Sequence, residues 1–209
     1  MKAMKHALVA FSFAAMAMGV ACTPSNPQAE DQPTADAAQA VLDCIMTRTS
    51  VRQFTDRPIA KDTLDILVKA GMAAPSAMNL QPWAFVVVTD RVMLDSLEAV
   101  HPFSNLKTTT AAICVCGDLS KAAENSAREY WIQDCSAATE NILLAAHALG
   151  LGAVWCGVHP NPNVLPGVKR VPNLPEHVIP LNIITMGYPA GDTSAKDKWT
   201  KENVHEQKW

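Results

Sequence analysis

Pro75-Ser76-Ala77-Met78-Asn79-Leu80-Gln81-Pro82-Trp83-Ala84-Phe85-Val86-Val87-Val88-Thr89 is the stretch that decides the fold class. Its first residues end a helix. Residues 61–73 carry Leu64, Leu67, Val68 and Gly71 at helical spacing, and Pro75 cannot continue that pattern. Its last residues, 83–89, form an unbroken apolar run rich in valine, as in a strand buried on both faces. Between them a hydroxyl and two amides, Ser76, Asn79 and Gln81, sit in a short loop bounded by prolines. Helix, polar loop and buried strand in direct succession are the unit of a layered architecture of helices on a sheet.

The same alternation extends outward. Upstream, residues 38–48 form a short helix with Val41, Leu42, Ile45 and Met46 on its apolar face. Downstream, 90–100 reads as helix, 111–117 as strand and 119–130 as a polar amphipathic helix. Residues 133–149 form the longest helix, apolar or small nearly all round and therefore buried on most sides. Its alanines 137, 138, 145 and 146 permit close approach of another helix. Strands at 151–158 and 181–186 are joined by a proline-rich connection, 160–180, with a short helix at 163–169. The expected class is α/β (α+β), a mixed sheet of four or five strands flanked by helices, with no internal repeat. The tail, 187–209, is polar, yet Trp199 and Trp209 suggest that it docks.

The N-terminus reads as a leader rather than as fold. Lys2 and Lys5 precede an apolar run, residues 7–20, which at about 14 residues is too short to span a bilayer and suits a signal peptide over 1–21. Small residues then precede Cys22, a pattern similar to a bacterial lipobox in which that cysteine becomes the lipidated N-terminus, although Gly19 stands where a bulky aliphatic residue is usual. Residues 22–37 are rich in Pro, Ser, Asn, Gln, Asp and Glu without apolar period, which suits a flexible linker to a domain at 38–209. The expected location is therefore outside the cytoplasm, on a membrane-anchored lipoprotein facing the periplasm or cell surface. A soluble periplasmic or cytoplasmic protein is the alternative.

The 209 residues, 49% of them hydrophobic, suit one domain with a sizeable core. A net charge of −3 gives no electrostatic reason to expect nucleic acid. Beyond Cys22 there are five cysteines, Cys44, Cys114, Cys116, Cys135 and Cys156, an odd number in apolar surroundings, and they read as small buried hydrophobes. The six histidines have no ligand spacing, so no metal site is expected.

Candidate chemistry begins at Arg48-Thr49-Ser50-Val51-Arg52. At alternate positions of extended backbone, Arg48, Ser50 and Arg52 present two guanidinium forks and a hydroxyl on one side, which suits a phosphate. Gly150-Leu151-Gly152 lacks the third glycine of a dinucleotide fingerprint and follows a helix where it should follow a strand; Gly150 reads as a helix C-cap. P-loop, nucleophile elbow, metalloprotease motif and paired carboxylates are all missing from the sequence. Binding elements without an evident catalytic side chain point to a cofactor that carries the chemistry.

Five blocks in order resemble the FMN-dependent nitroreductase family across the whole 38–209 domain: Arg48-x-Ser50-x-Arg52; Pro75-Ser76-x-x-Asn79-x-Gln81-Pro82-Trp83; Asp134-x-x-Ala137-Ala138-x-x-Asn141; Gly150-Leu151-Gly152-x-x-Trp155; and Gly187-Tyr188-Pro189. The resemblance implies FMN as cofactor, with Arg48, Ser50 and Arg52 on its phosphate and ribityl chain and Lys196 and Lys198 returning from the tail to the same phosphate. It implies that Pro75, Ser76 and Asn79 lie along the isoalloxazine, and that Trp155, Cys156 and Gly157 approach it through their backbone. Whether the Cys156 thiol faces the ring or the core is left open. An intertwined homodimer with flavin sites between subunits is implied as well. So is ping-pong transfer of hydride from NAD(P)H, or another donor, to nitroaromatic, quinone or related small acceptors. Relatives of the same fold instead dehalogenate reductively or process flavin, and a non-catalytic flavin-binding lipoprotein is a further alternative.

Overall fold

The computed structural model describes residues 34–209; the expected signal peptide over 1–21, Cys22 and the expected linker as far as residue 33 lie outside the described residues. Four strands, β1 (Trp83–Val88), β2 (Ala111–Asp118), β3 (Gly152–Gly157) and β4 (Val178–Gly187), form one sheet in the order β1-β2-β4-β3. All three ladders are antiparallel; among the described residues parallel pairing is confined to a single bridge, Ser50 with Ala153, on the free edge of β3. Pro180 stands within β4, where the register against β2 shifts between Val115 and Cys116; a bulge is where a strand can carry a residue without an N–H.

The helices cover both faces. On one side α2 (Lys61–Met72) and α4 (Tyr130–Ala148) bury Leu64, Leu67, Trp131, Ala138 and Ile142 against Ile113, Val115 and Ile184. On the other, α3 (Arg91–Val100) and α5 (Leu165–Arg170) bury Leu94, Leu97 and Val168 against Cys114, Cys116, Val154 and Ile183. The alternation of Ile113 and Cys114 between the two clusters is the two-residue period of a strand buried on both faces. Two glycines make this packing possible. A Cβ on Gly117 would stand 2.2 Å from Trp131 Cε3, and one on Gly152 would stand 2.7 Å from Val51 Cβ.

Cys114, Cys116, Cys135 and Cys156 are buried and Cys44 is partly so, all as free thiols. Burial pushes the thiols of Cys114, Cys116 and Cys135 far up, that of Cys116 to about 12. None of the helices among the described residues is long and apolar enough to cross a membrane.

Two readings need correction. Residues 119–130 are not a helix: Asp118 accepts from Ser120 through both its N–H (3.1 Å) and its hydroxyl (2.5 Å), and pairs with Lys121 at 3.1 Å. Asn125 then takes a positive φ of 57° ahead of a single 3-10 turn, Asn125–Ala127. Short polar side chains that bond their own backbone compete with helix, and here they win. At the N-terminus α1 (Ala35–Thr47) starts inside the stretch read as linker. Its expected apolar face is on the surface, with Val41, Leu42, Ile45 and Met46 between 49% and 75% exposed.

Candidate functional site

The phosphate-type residues follow directly from the end of α1. The chain leaves the helix in extended backbone, and Val51 N–H donates to the Ala153 carbonyl at 3.1 Å on the free edge of β3. Val51 is buried against Gly152, so its neighbours Ser50 and Arg52 face out, as the alternate spacing predicts. They line a small cavity of about 260 Å³ with Gln53, Gly191 and Asp192.

Arg48 lies apart from these two. Its Nε is 3.2 Å from Glu140 Oε1 on α4, and it lines a separate cavity of about 650 Å³ with Met46, Glu140, Lys196, Lys198 and Trp199. The tail therefore brings Lys196 and Lys198 to Arg48, while Ser50 and Arg52 sit in the neighbouring cavity. One arginine and two lysines against Glu140 and Asp197 leave this larger cavity with an excess of positive charge. Glu140 lies beside Asn141 of the third motif, but nothing local in the sequence pairs it with Arg48.

The loop after α2 holds its shape through strain and two side chains. Met78, Asn79 and Gln81 all have positive φ, between 51° and 55°, an uncommon run for residues with a Cβ and one associated with functional sites. Asp134 on α4 accepts from Ala77 N–H at 2.8 Å, and the Ser76 hydroxyl accepts from Gln81 N–H at 3.0 Å. Gln81 Nε2 donates to Asn79 Oδ1 at 3.0 Å, leaving the Asn79 amide donor unused among the described residues. Pro75 and Ser76 line a cavity of about 450 Å³ with Tyr130, Gln133, Asp134 and Ala137. Asp134 belongs to a motif quoted above; its role as the anchor of this loop required the structure.

Trp155, Cys156 and Gly157 end β3, the edge strand. Since the Ala153 carbonyl faces away from β4, the two-residue period turns the N–H and C=O groups of Trp155 and Gly157 to the same free edge. The Gly157 carbonyl is 3.0 Å from His101 Nε2; the Trp155 and Gly157 N–H groups have no partner among the described residues. A Cβ on Gly157 would meet nothing within 4 Å, so the space over it is open. The Trp155 side chain is 37% exposed. The Cys156 thiol faces the core, donating to Ser104 O at 3.3 Å, which settles the question left open by the sequence.

This donor set fits FMN. A cationic cavity suits its phosphate, a strained loop with an available amide suits its ring edge, and outward N–H groups beside open space suit a flat heteroaromatic system. Within the single chain the loop with Pro75 and Ser76 and the cavity with Arg48, Lys196 and Lys198 are separate.

The nitroreductase family model matches residues 45–104 and 99–188. A Methanothermobacter thermautotrophicus protein provisionally named NADH dehydrogenase/NAD(P)H nitroreductase is 43% identical over 170 residues, 81% of this chain and 87% of its own. The FMN reductase [NAD(P)H] of Bacillus subtilis is 26% identical over 80% of this chain and 73% of its own. Among solved structures, an FMN-dependent nitroreductase of Clostridium difficile superposes with a TM-score of 0.73 at 28% identity, over 80% of this chain and 99% of that one. The chain belongs to the nitroreductase family.

Proposed function

We propose that this chain is an FMN-dependent oxidoreductase, active as a homodimer, that reduces nitroaromatics, quinones or related small acceptors by a ping-pong route. The observation that carries the reading is the cavity in which the tail sets Lys196 and Lys198 beside Arg48, a cluster matched to a phosphate dianion. When bound, FMN supplies the redox chemistry, taking a hydride from a donor and passing two electrons to an acceptor.

The chain's own residues hold and shield. Arg48, Lys196 and Lys198 take the phosphate, with Ser50 and Arg52 on the adjoining stretch. Asn79 offers a donor and an acceptor to the ring's polar edge, held in place by Gln81. The backbone N–H groups of Trp155 and Gly157 offer fixed donors at the β3 edge, which require no reorganisation when charge develops beside them. The exposed apolar face of α1 and the separation of the loop from the phosphate cavity support a site completed between two chains. Relatives are named for NADH, NADPH and FMN, which supports both cofactor and donor class.

The leader motivates a further element of the proposal. A chain exported by residues 1–21 and tethered at Cys22 works where NAD(P)H is scarce, and there draws electrons from a membrane quinol or a partner flavoprotein. Rapid flavin reduction by NADPH, together with a cytosolic location on fractionation, would overturn that element. The test of the function itself is the visible spectrum of the purified full chain, recorded anaerobically with donors and then acceptors added in turn. Bleaching by a donor and recovery on adding an acceptor are expected. A chain that carries no flavin, and gains none from added FMN, sinks the proposal.

A further inference from the structure

We propose that His101 is a positioning residue for the flavin site, fixing the free edge of β3 through the carbonyl of Gly157. The inference rests on the FMN reading above and concerns what keeps the backbone donors of that edge in place.

Gly157 is the last residue of β3 in register with β4, opposite Asn182. Gly157 has no side chain to steady its edge, and β4 holds the peptide plane of its carbonyl from one side only, through Val158 N–H donating to Leu181 O at 2.9 Å. Its carbonyl points away from the sheet, and His101 Nε2, at 3.0 Å, is its partner among the described residues. A carbonyl can only accept, so Nε2 carries the proton and the imidazole is the donor. With Gly157 held by β4 on one side and by His101 on the other, the N–H groups of Trp155 and Gly157 keep one direction.

His101 is itself rigidly held. It closes α3, its own N–H bonding back to Leu97 O at 2.9 Å, and it is 4% exposed. Beyond it the chain turns sharply: Ser104 N–H donates to His101 O at 2.9 Å, while the Ser104 hydroxyl and Leu106 N–H both donate to Glu98 Oε2, at 2.9 and 2.7 Å. Ser104 O in turn accepts from Thr185 Oγ1 at 2.6 Å and from Cys156 Sγ at 3.3 Å. One turn thus ties α3 to β4 and to the residue preceding Gly157. The other imidazole nitrogen, Nδ1, is buried without a partner among the described residues, so the ring is built into this place as a neutral single donor. Burial lowers the His101 pKa, outweighing the opposing effects of the Gly157 bond and the Glu98 carboxylate, in keeping with that form.

The experiment titrates FMN into the full chain for wild type, H101Q and H101F, reading affinity from flavin fluorescence and environment from the visible spectrum of the bound flavin. The glutamine keeps an N–H at the reach of Nε2, and the phenylalanine keeps the ring volume without a donor. H101Q is expected to match wild type. H101F is expected to bind about tenfold more weakly, the loss of roughly one hydrogen bond's worth of affinity, with a shifted flavin band. A merely structural histidine would lower Tm in H101F and leave affinity and spectrum alone, and that result overturns the assignment. Should H101F fail to fold, H101N decides, since its shorter amide falls short of the carbonyl: weak binding supports the role and unchanged binding removes it. If the wild-type chain takes up no FMN, the functional reading fails first and the assignment falls with it.

Discussion

Arg48 engages Glu140 through Nε, which leaves both terminal guanidinium nitrogens without a partner among the described residues. That is the arrangement in which a guanidinium can still grip an anion bidentately while its stem is held. Arg48→Ala is therefore expected to weaken FMN retention by about 1.5–3 kcal/mol, the range for hydrogen bonds to charged groups, measured by equilibrium dialysis of the flavin. Retention equal to wild type would remove Arg48 from the phosphate site. His101 gives a prediction of a different kind. Its pKa lies below the ordinary value of 6.5 in the folded chain, chiefly through burial, so the unfolded chain binds its proton first as pH falls. The histidine's contribution to stability is fully present above about pH 6.5 and declines below it. Urea midpoints measured from pH 7.5 down to pH 5 should fall more steeply for wild type than for H101Q; parallel curves would contradict this.

At the scale of elements, the glycines that admit close packing separate stability from binding. Gly117→Ala drives a methyl into the Trp131 ring and is expected to cost about 1–3 kcal/mol of stability by overpacking, with FMN affinity of the folded fraction unchanged. Gly152→Ala pushes on Val51, between Ser50 and Arg52, and is expected to weaken FMN binding as well. Thermal unfolding and flavin titration of the two variants check both, and equal flavin affinities would break the argument. The apolar run of β2 and the periodicity of α2, α3 and α4 were legible in the sequence because burial imposes its period locally. The run of β1 located a strand but not its burial, since β1 lies at a sheet edge with Trp83 and Val88 buried and Val87 43% exposed. So was the outward pairing of Ser50 and Arg52, a property of three consecutive residues. What was not legible depends on chain segments far apart. Arg48 leaves its neighbours because Glu140 waits on α4, and the direction of the Gly157 carbonyl depends on where α3 ends. The turn after β2 escaped for another reason: residues 119–130 carry a helical pattern, and the local bonds from Ser120 to Asp118 compete with it and win.

For the whole molecule, the apolar face of α1 and Trp199 of the tail are exposed apolar surfaces of the kind that mark interaction sites, in keeping with the proposed dimer. A charge at the centre of that face should separate the proposed dimer: Leu42→Glu is expected to sediment as a monomer and to lose flavin, while keeping the sheet intact by circular dichroism. A flavin-loaded monomer would show that one chain suffices. Because α1 buries none of its residues within its own chain, the proposed dimer, with its flavin site completed between chains, makes cofactor retention a matter of mass action between chains. Specific activity, which dilution leaves unchanged in a self-contained enzyme, would then fall as the protein is diluted, and added FMN would restore it by drawing free subunits back into pairs.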